Sequence, residues 1–255
     1  MLLSFSLSFY ADFIDDPSLA KTSFDSLSEA RQSLLSITLY SLKDAASRTK
    51  EQLHLYHQRF DAWSTSFEGF VAKFKSTPMS DVDRRGLALL ELYKQFLALG
   101  LVHGYRQDEW SELTWDQHNA EFEEMVNSAT IAAGTEDEKT SLSTARSVFH
   151  MDIGLLPVLF SIVARCRDPL LRRRAIDLMY SGHTLEGVWD GFLTGKVARR
   201  LVELEESVAV VKCNADIPLE VRISTVKFAV GTSERMAIIG FERHDRSLIW
   251  ETIEW

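Results

Sequence analysis

A histidine beside a carboxylate is the commonest acid–base pair near neutral pH, and His150-Met-Asp152 offers one here. If a cleft held both groups, one could take a proton while the other oriented it. Tyr180 and His183 could add a phenolic donor and a second imidazole. These four are the catalytic candidates. Each also has a plainer reading as an ordinary polar group, and the residue pattern alone names no substrate.

Metal-ligand spacings are thinner still. Glu51-Gln-Leu-His54 places a carboxylate and an imidazole on one face of a predicted helix. A di-iron bundle needs two such motifs and two further carboxylates, and only this one occurs. His54 and His57 repeat at i, i+3 without a third ligand, and His118, Glu121 and Glu124 read as a solvated helix face. Cys166 and Cys213 stand too far apart for a zinc spacing or a disulfide framework, a usage that suits a reducing compartment. The chain has no GxSxG elbow, P-loop, GxGxxG or HExxH. No metal and no cofactor is expected.

The strongest charge feature lies between Arg165 and Arg200, where eight Lys or Arg face four Asp or Glu. That local +4 sits in a chain of net −9, leaving −13 on the remainder. A basic segment in an acidic molecule more often makes internal ion pairs than binds nucleic acid. Glu203, Glu205 and Glu206 crowd the last turn of a predicted helix, where the helix dipole disfavours them. Arg172, Arg173 and Arg174 are the obvious compensating cations, fanned across the outer faces of their own helix. Autonomous DNA binding is therefore not expected.

The elements that must position these groups are mainly helical. Hydrophobic residues at 45% and charged residues at 25% argue against extensive disorder. Apolar periodicity predicts helices over about 26–46, 50–75, 80–101 and 115–133, with a Ser26/Glu29 capping pattern and a Thr77-Pro78 stop. Met1 to Tyr10 is apolar but too short to span a bilayer and reads as a packing segment, and no membrane segment is expected. The polar run 134–143 reads as a loop or a join. Val221–Val230 and Met236–Phe241, separated by GTSER, predict a β-hairpin, and alternation in Leu248–Trp255 predicts a third strand. The expected fold is an antiparallel helical domain closed by a small C-terminal antiparallel sheet. One domain is expected over 1–255, with a packing segment at 1–21, helical halves at 22–133 and 144–206, and the sheet at 220–255.

The most informative stretch runs from Gly154 to Glu206. Asp168 suits the cap of a helix whose first residue is Pro169, since proline lacks only a donor that would be orphaned there. A further helix is expected from about Leu185 to Glu206, begun by Thr184 and Glu186, with Trp189, Leu193, Val197, Leu201 and Leu204 on its buried stripe. The order ARCRDPLLRRRAIDL, then EGVWDGFLTGKVARRLVELEE, resembles the C-terminal regulatory region of fungal binuclear zinc-cluster transcription factors. More narrowly it is similar to the fungal-specific transcription factor domain of secondary-metabolite regulators. SFDSLSEARQSL, FDAWSTSFEGF and the closing IWETIEW extend the likeness over most of 22–255.

The resemblance implies a regulatory helical domain framed by Asp168, Pro169, Arg172, Arg173, Trp189 and Asp190. That family reads DNA through six clustered cysteines holding two zinc ions. With two distant cysteines, no residue here can inherit that role, so the likeness implies the regulatory part without its own DNA reader. It also implies partners in the transcription machinery or a small-molecule effector, a nuclear or cytoplasmic location, and a homodimer among the allowed assemblies. Two other readings stand beside it. One is an enzyme of fungal natural-product biosynthesis that reuses the helical pocket, and the other is a non-catalytic partner of full-length regulators.

Overall fold

Three long amphipathic runs become helices in the first hundred residues, α1 (Leu27–Lys43), α2 (Lys50–Phe74) and α3 (Asp81–Gly104). The computed structural model describes residues 23–43, 49–76, 78–104, 111–134, 149–150, 154–181, 185–186, 189–208, 210–231 and 235–255. The chain divides into two compact units, Met1–Asp108 and Glu109–Trp255.

In the first unit each helix start is chemically specified. The Ser26 hydroxyl accepts from the Glu29 N–H at 3.2 Å, while the Glu29 carboxylate reaches back to the Asp25 N–H at 2.8 Å. Thr49 and Gln52 form a reciprocal capping box at the start of α2. Ser80 and Asp83 repeat that arrangement at α3. One face of α2 is aromatic, and Phe60, Trp63, Phe67 and Phe70 are all in the core. Each such ring contributes roughly 1.5–3 kcal/mol by leaving water. Trp63 stacks on Phe67 at 4.8 Å and donates its indole N–H to the Ala30 carbonyl of α1 at 2.9 Å, so its one polar atom is satisfied.

The second unit holds α4 (Asn119–Ala133), α5 (Leu156–Arg165), α6 (Pro169–Ser181) and α7 (Gly191–Glu206). The helix predicted from residue 115 begins later than expected. Glu112–His118 is instead a 3-10 segment capped by Ser111, and it aims Glu112 and Asp116 at buried arginines. α4 ends where Gly134 takes the left-handed conformation at φ 72°, a geometry glycine adopts without steric cost.

The start of α7 also differs from expectation. Leu185–Glu186 (β2) and Trp189–Asp190 (β3) pair antiparallel, and Phe149–His150 (β1) pairs parallel with β2. The helix cap is Asp190, whose extended backbone lets its carboxylate accept from the N–H groups of Phe192 and Leu193. Glu186 is not part of a first helical turn. It is buried, and its two oxygens accept the free N–H groups of Leu155 and Leu156 at the start of α5, at 2.9 and 2.7 Å. The buried stripe of α7 is rotated accordingly, so Trp189 stands before the helix and Glu205 lies in the core.

The C-terminal sheet forms as the alternation predicts. β4 (Ile223–Gly231), β5 (Met236–Arg243) and β6 (Leu248–Glu254) are antiparallel in the order β4-β5-β6. The mainly α fold with a small C-terminal antiparallel sheet is therefore the observed one. Among the described residues no helix is long and apolar enough to cross a membrane.

Candidate functional site

The CRDP turn between α5 and α6 is where the second unit concentrates its chemistry. Cys166 is buried, and Asp168 caps α6 by accepting from the N–H groups of Leu170 and Leu171 at 2.9 and 3.0 Å. Between them Arg167 is fully buried. Its guanidinium meets Glu205 of α7 at 3.1 Å and Glu112 at 2.9 Å, and donates to the Arg165 carbonyl at 2.8 Å. Arg172 is fully buried too, which corrects the expectation that the three consecutive arginines fan outward. It ion-pairs with the second oxygen of Glu205 and donates its Nε to the Val163 carbonyl at 3.0 Å. The Ile223 N–H, at the head of β4, donates to Glu205 at 2.6 Å.

One carboxylate thus ties α7 to α6, to the α5–α6 turn and to the first strand of the sheet. Two buried guanidinium groups, Arg167 and Arg172, face two buried carboxylates, Glu112 and Glu205. Near balance of charge is what burial requires, because each unpaired ion would cost several kcal/mol. Burial alone would raise the Glu205 carboxyl, but Arg172, Arg167 and the Ile223 N–H outweigh it and hold the group below its ordinary value of 4.5. The sign follows from linkage. A lowered carboxyl contributes stability above its unfolded value of 4.5 and loses it as pH falls through the folded value. Unfolding titrations should therefore show stability falling on acidification below about pH 4.5, and Glu205→Gln should flatten that slope.

A second cluster lies beside the first. Arg222, again fully buried, donates two near-parallel bonds to Asp116 at 2.8 and 2.7 Å. Its remaining N–H groups go to the carbonyls of Ile217, Glu112 and Asn214 at 2.9–3.1 Å. The outer arginines of α6 are surface struts. Arg173 makes a bidentate pair with Glu206, and Arg174 donates to Asn127 at 2.8 Å.

Across α7 from this core a groove of about 670 Å³ opens between α6, α7 and β6. Tyr180, Phe192, Lys196, Arg199, Arg200 and Glu251 line it. The Tyr180 ring lies against the backbone of Gly195, so close that a Cβ there would meet it at 2.7 Å. Helix-interior glycine costs about 1 kcal/mol against alanine, and this contact is what the residue allows.

Of the four catalytic candidates only Tyr180 has its side chain among the described residues. The backbone of His150 belongs to β1, while its side chain, Asp152 and His183 lie outside the described residues. Tyr180 is half-buried at the groove, its phenol pushed up by burial. Glu51 belongs to the first turn of α2, and His54 sits beside Gln58 and His57 beside Asp61. His118 pairs with Glu121 at 3.1 Å. Among the described residues no three His, Cys, Asp or Glu are grouped to hold a metal. Sequence reasoning missed Glu112, Asp116, Arg222 and the capping role of Glu186. A signal existed for three of them. Arg222 stands between Val221 and Ile223 at a predicted strand start, and Glu112 and Asp116 are four residues apart beside Trp115.

No protein-family model matches the chain, and no solved structure matches it. One similarity is informative. Over 115 residues the chain is 35% identical to the aspercryptin biosynthesis cluster-specific transcription regulator atnN of Emericella nidulans. The match covers 43% of this chain and spans about 18% of that protein's length.

Chemically, the buried cluster is a structural lock. The Cys166 thiol, in the same turn, is buried and donates towards Asn119 Oδ1 at 4.0 Å. Burial pushes the Cys166 thiol up to about 11, whereas Cys213 is exposed. A thiol reagent at neutral pH should label Cys213 within minutes and Cys166 only after denaturant is added. Equal labelling of both in the native protein would show that the α5–α6 turn opens freely.

Proposed function

We propose that residues 1–255 form the regulatory portion of a fungal pathway-specific transcription regulator of the fungal-specific transcription factor domain type, tied to secondary-metabolite genes. The portion acts in the nucleus through protein contacts or a small-molecule effector and does not read duplex DNA by itself. The observation that carries this reading is the 35% identity over 115 residues to a biosynthesis-cluster regulator. The order of motifs around Arg167, Asp168, Pro169, Trp189 and Asp190 supports it. So does the fate of the basic stretch. Arg167 and Arg172 are taken by internal pairs, and Arg173 and Arg200 by Glu206, Glu203 and Glu251, which leaves few of the stretch's cations for a phosphate backbone.

A reporter assay tests the reading directly. Fused to a heterologous DNA-binding domain, residues 1–255 should change transcription from the matching promoter several-fold. Purified alone, the chain should show no salt-dependent binding to duplex DNA. Tight binding with a steep loss of affinity on raising salt, together with an unresponsive reporter, would overturn the proposal.

A further inference from the structure

The groove between α6, α7 and β6 has a chemical bias that its ion pairs expose. Arg200 uses both carboxylates at one end, meeting Glu251 at 2.7 and 2.8 Å and Glu203 at 2.9 Å. Those acids are therefore satisfied and are poor ligands for an added cation. At the other end the cations are held by rings and a carbonyl. Arg199 lies over the Tyr180 ring at 5.2 Å, and Lys196 lies 5.7 Å from the Phe192 ring centroid and donates to the Glu254 carbonyl at 2.7 Å. The lining balances three cations, Lys196, Arg199 and Arg200, with three acids, Glu203, Glu251 and Glu254, but among the described residues neither Arg199 nor Lys196 makes an ion pair, so the unpaired cations gather at this end.

The same end supplies aromatic surface. Phe192 is 49% exposed, unusual for a phenylalanine with neighbours, and it meets Tyr180 edge-on at 5.5 Å. A guanidinium stacked on a ring keeps its N–H edge free for a planar oxyanion. The volume of about 670 Å³ falls within the range of small-molecule sites. A protein partner would need roughly 800 Å² on each side, more than such a groove offers.

We propose that this groove binds a small aromatic carboxylate. The carboxylate sits on the N–H edge of Arg199 with Lys196 beside it, and the ring packs on Phe192 and Tyr180. The proposal deepens the regulator reading by giving it an effector class. It is tested on the purified chain without DNA, so its failure leaves that reading standing, and an unresponsive reporter leaves the binding result standing.

The experiment compares 2-naphthoate with 2-naphthamide, which differ in charge but hardly in shape, by calorimetry and ligand-detected NMR. For a ligand of this size the expected Kd is about 1 mM. The amide should bind about tenfold more weakly, since it lacks the charge-assisted pair. Arg199→Ala and Lys196→Met should each erase the preference for the acid with only a small change in Tm, because what they lose is a ring contact and one exposed hydrogen bond. Phe192→Ala should weaken acid and amide alike. Equal affinity for the two compounds, indifference to both charge variants, or no binding of either at about 5 mM would overturn the proposal. So would an acidic peptide that binds in an Arg199-dependent way while naphthoate does not, since that result makes the surface a protein-docking site.

Discussion

Glu205→Ala is expected to destabilise the second unit by about 3–5 kcal/mol, the cost of leaving buried partners of an ion pair uncompensated. Three groups lose their acceptor at once, the guanidinium groups of Arg167 and Arg172 and the N–H of Ile223. Arg167 retains Glu112, but Arg172 has no second carboxylate among the described ion pairs and is fully buried. Water cannot reach either without opening the packing of α5, α6 and α7. Glu206→Ala is the internal control. It removes the pair with Arg173, whose side chain is 53% exposed, and should cost at most about 1 kcal/mol. Urea unfolding followed by circular dichroism reads both. Equal effects of the two substitutions would mean that the Glu205 cluster is not the lock described.

Arg222→Ala should produce the second largest loss, again about 3–5 kcal/mol, for a different reason. Asp116 is partly exposed and can be rehydrated, but the carbonyls of Ile217 and Asn214 and that of Glu112 lose a buried donor together. Arg222→Lys should recover little of it. An ammonium is a point charge on a flexible stem and cannot reproduce a planar fork that spans a carboxylate and three carbonyls. Full rescue by lysine would show that charge, rather than hydrogen-bond geometry, is what the site needs.

Helices α1 to α3 and α6, the body of α4, and strands β4 to β6 were legible from residue order because their signals are local. An apolar residue every three or four positions, a Ser or Asp at a cap and a proline at a first turn act within a few residues of themselves. Asp168-Pro169 is the clearest instance, since the cap it predicts is the one the structure makes. The same local logic misplaced the start of α7. Thr184 and Glu186 make an acceptable opening, but Asp190 makes the cap, and Glu186 serves the start of α5, some thirty residues away in the chain.

Charge showed the same division. Composition alone determined that a basic segment sits in an acidic chain, and that internal pairing is its commonest fate. Which arginine is buried was decided only by the tertiary fold. Arg172 and Arg173 are neighbours of the same type on one helix, yet one is fully buried on Glu205 and the other is exposed on Glu206. A helix turns about 100° per residue, so adjacent side chains face different surroundings, and only the packing of α7 against α6 selects which faces inward. The unpaired cations of the groove arise likewise. Lys196, Arg199 and Arg200 read as one basic run, and it is the approach of β6 that gives Glu251 to Arg200 and leaves Arg199 on a tyrosine ring.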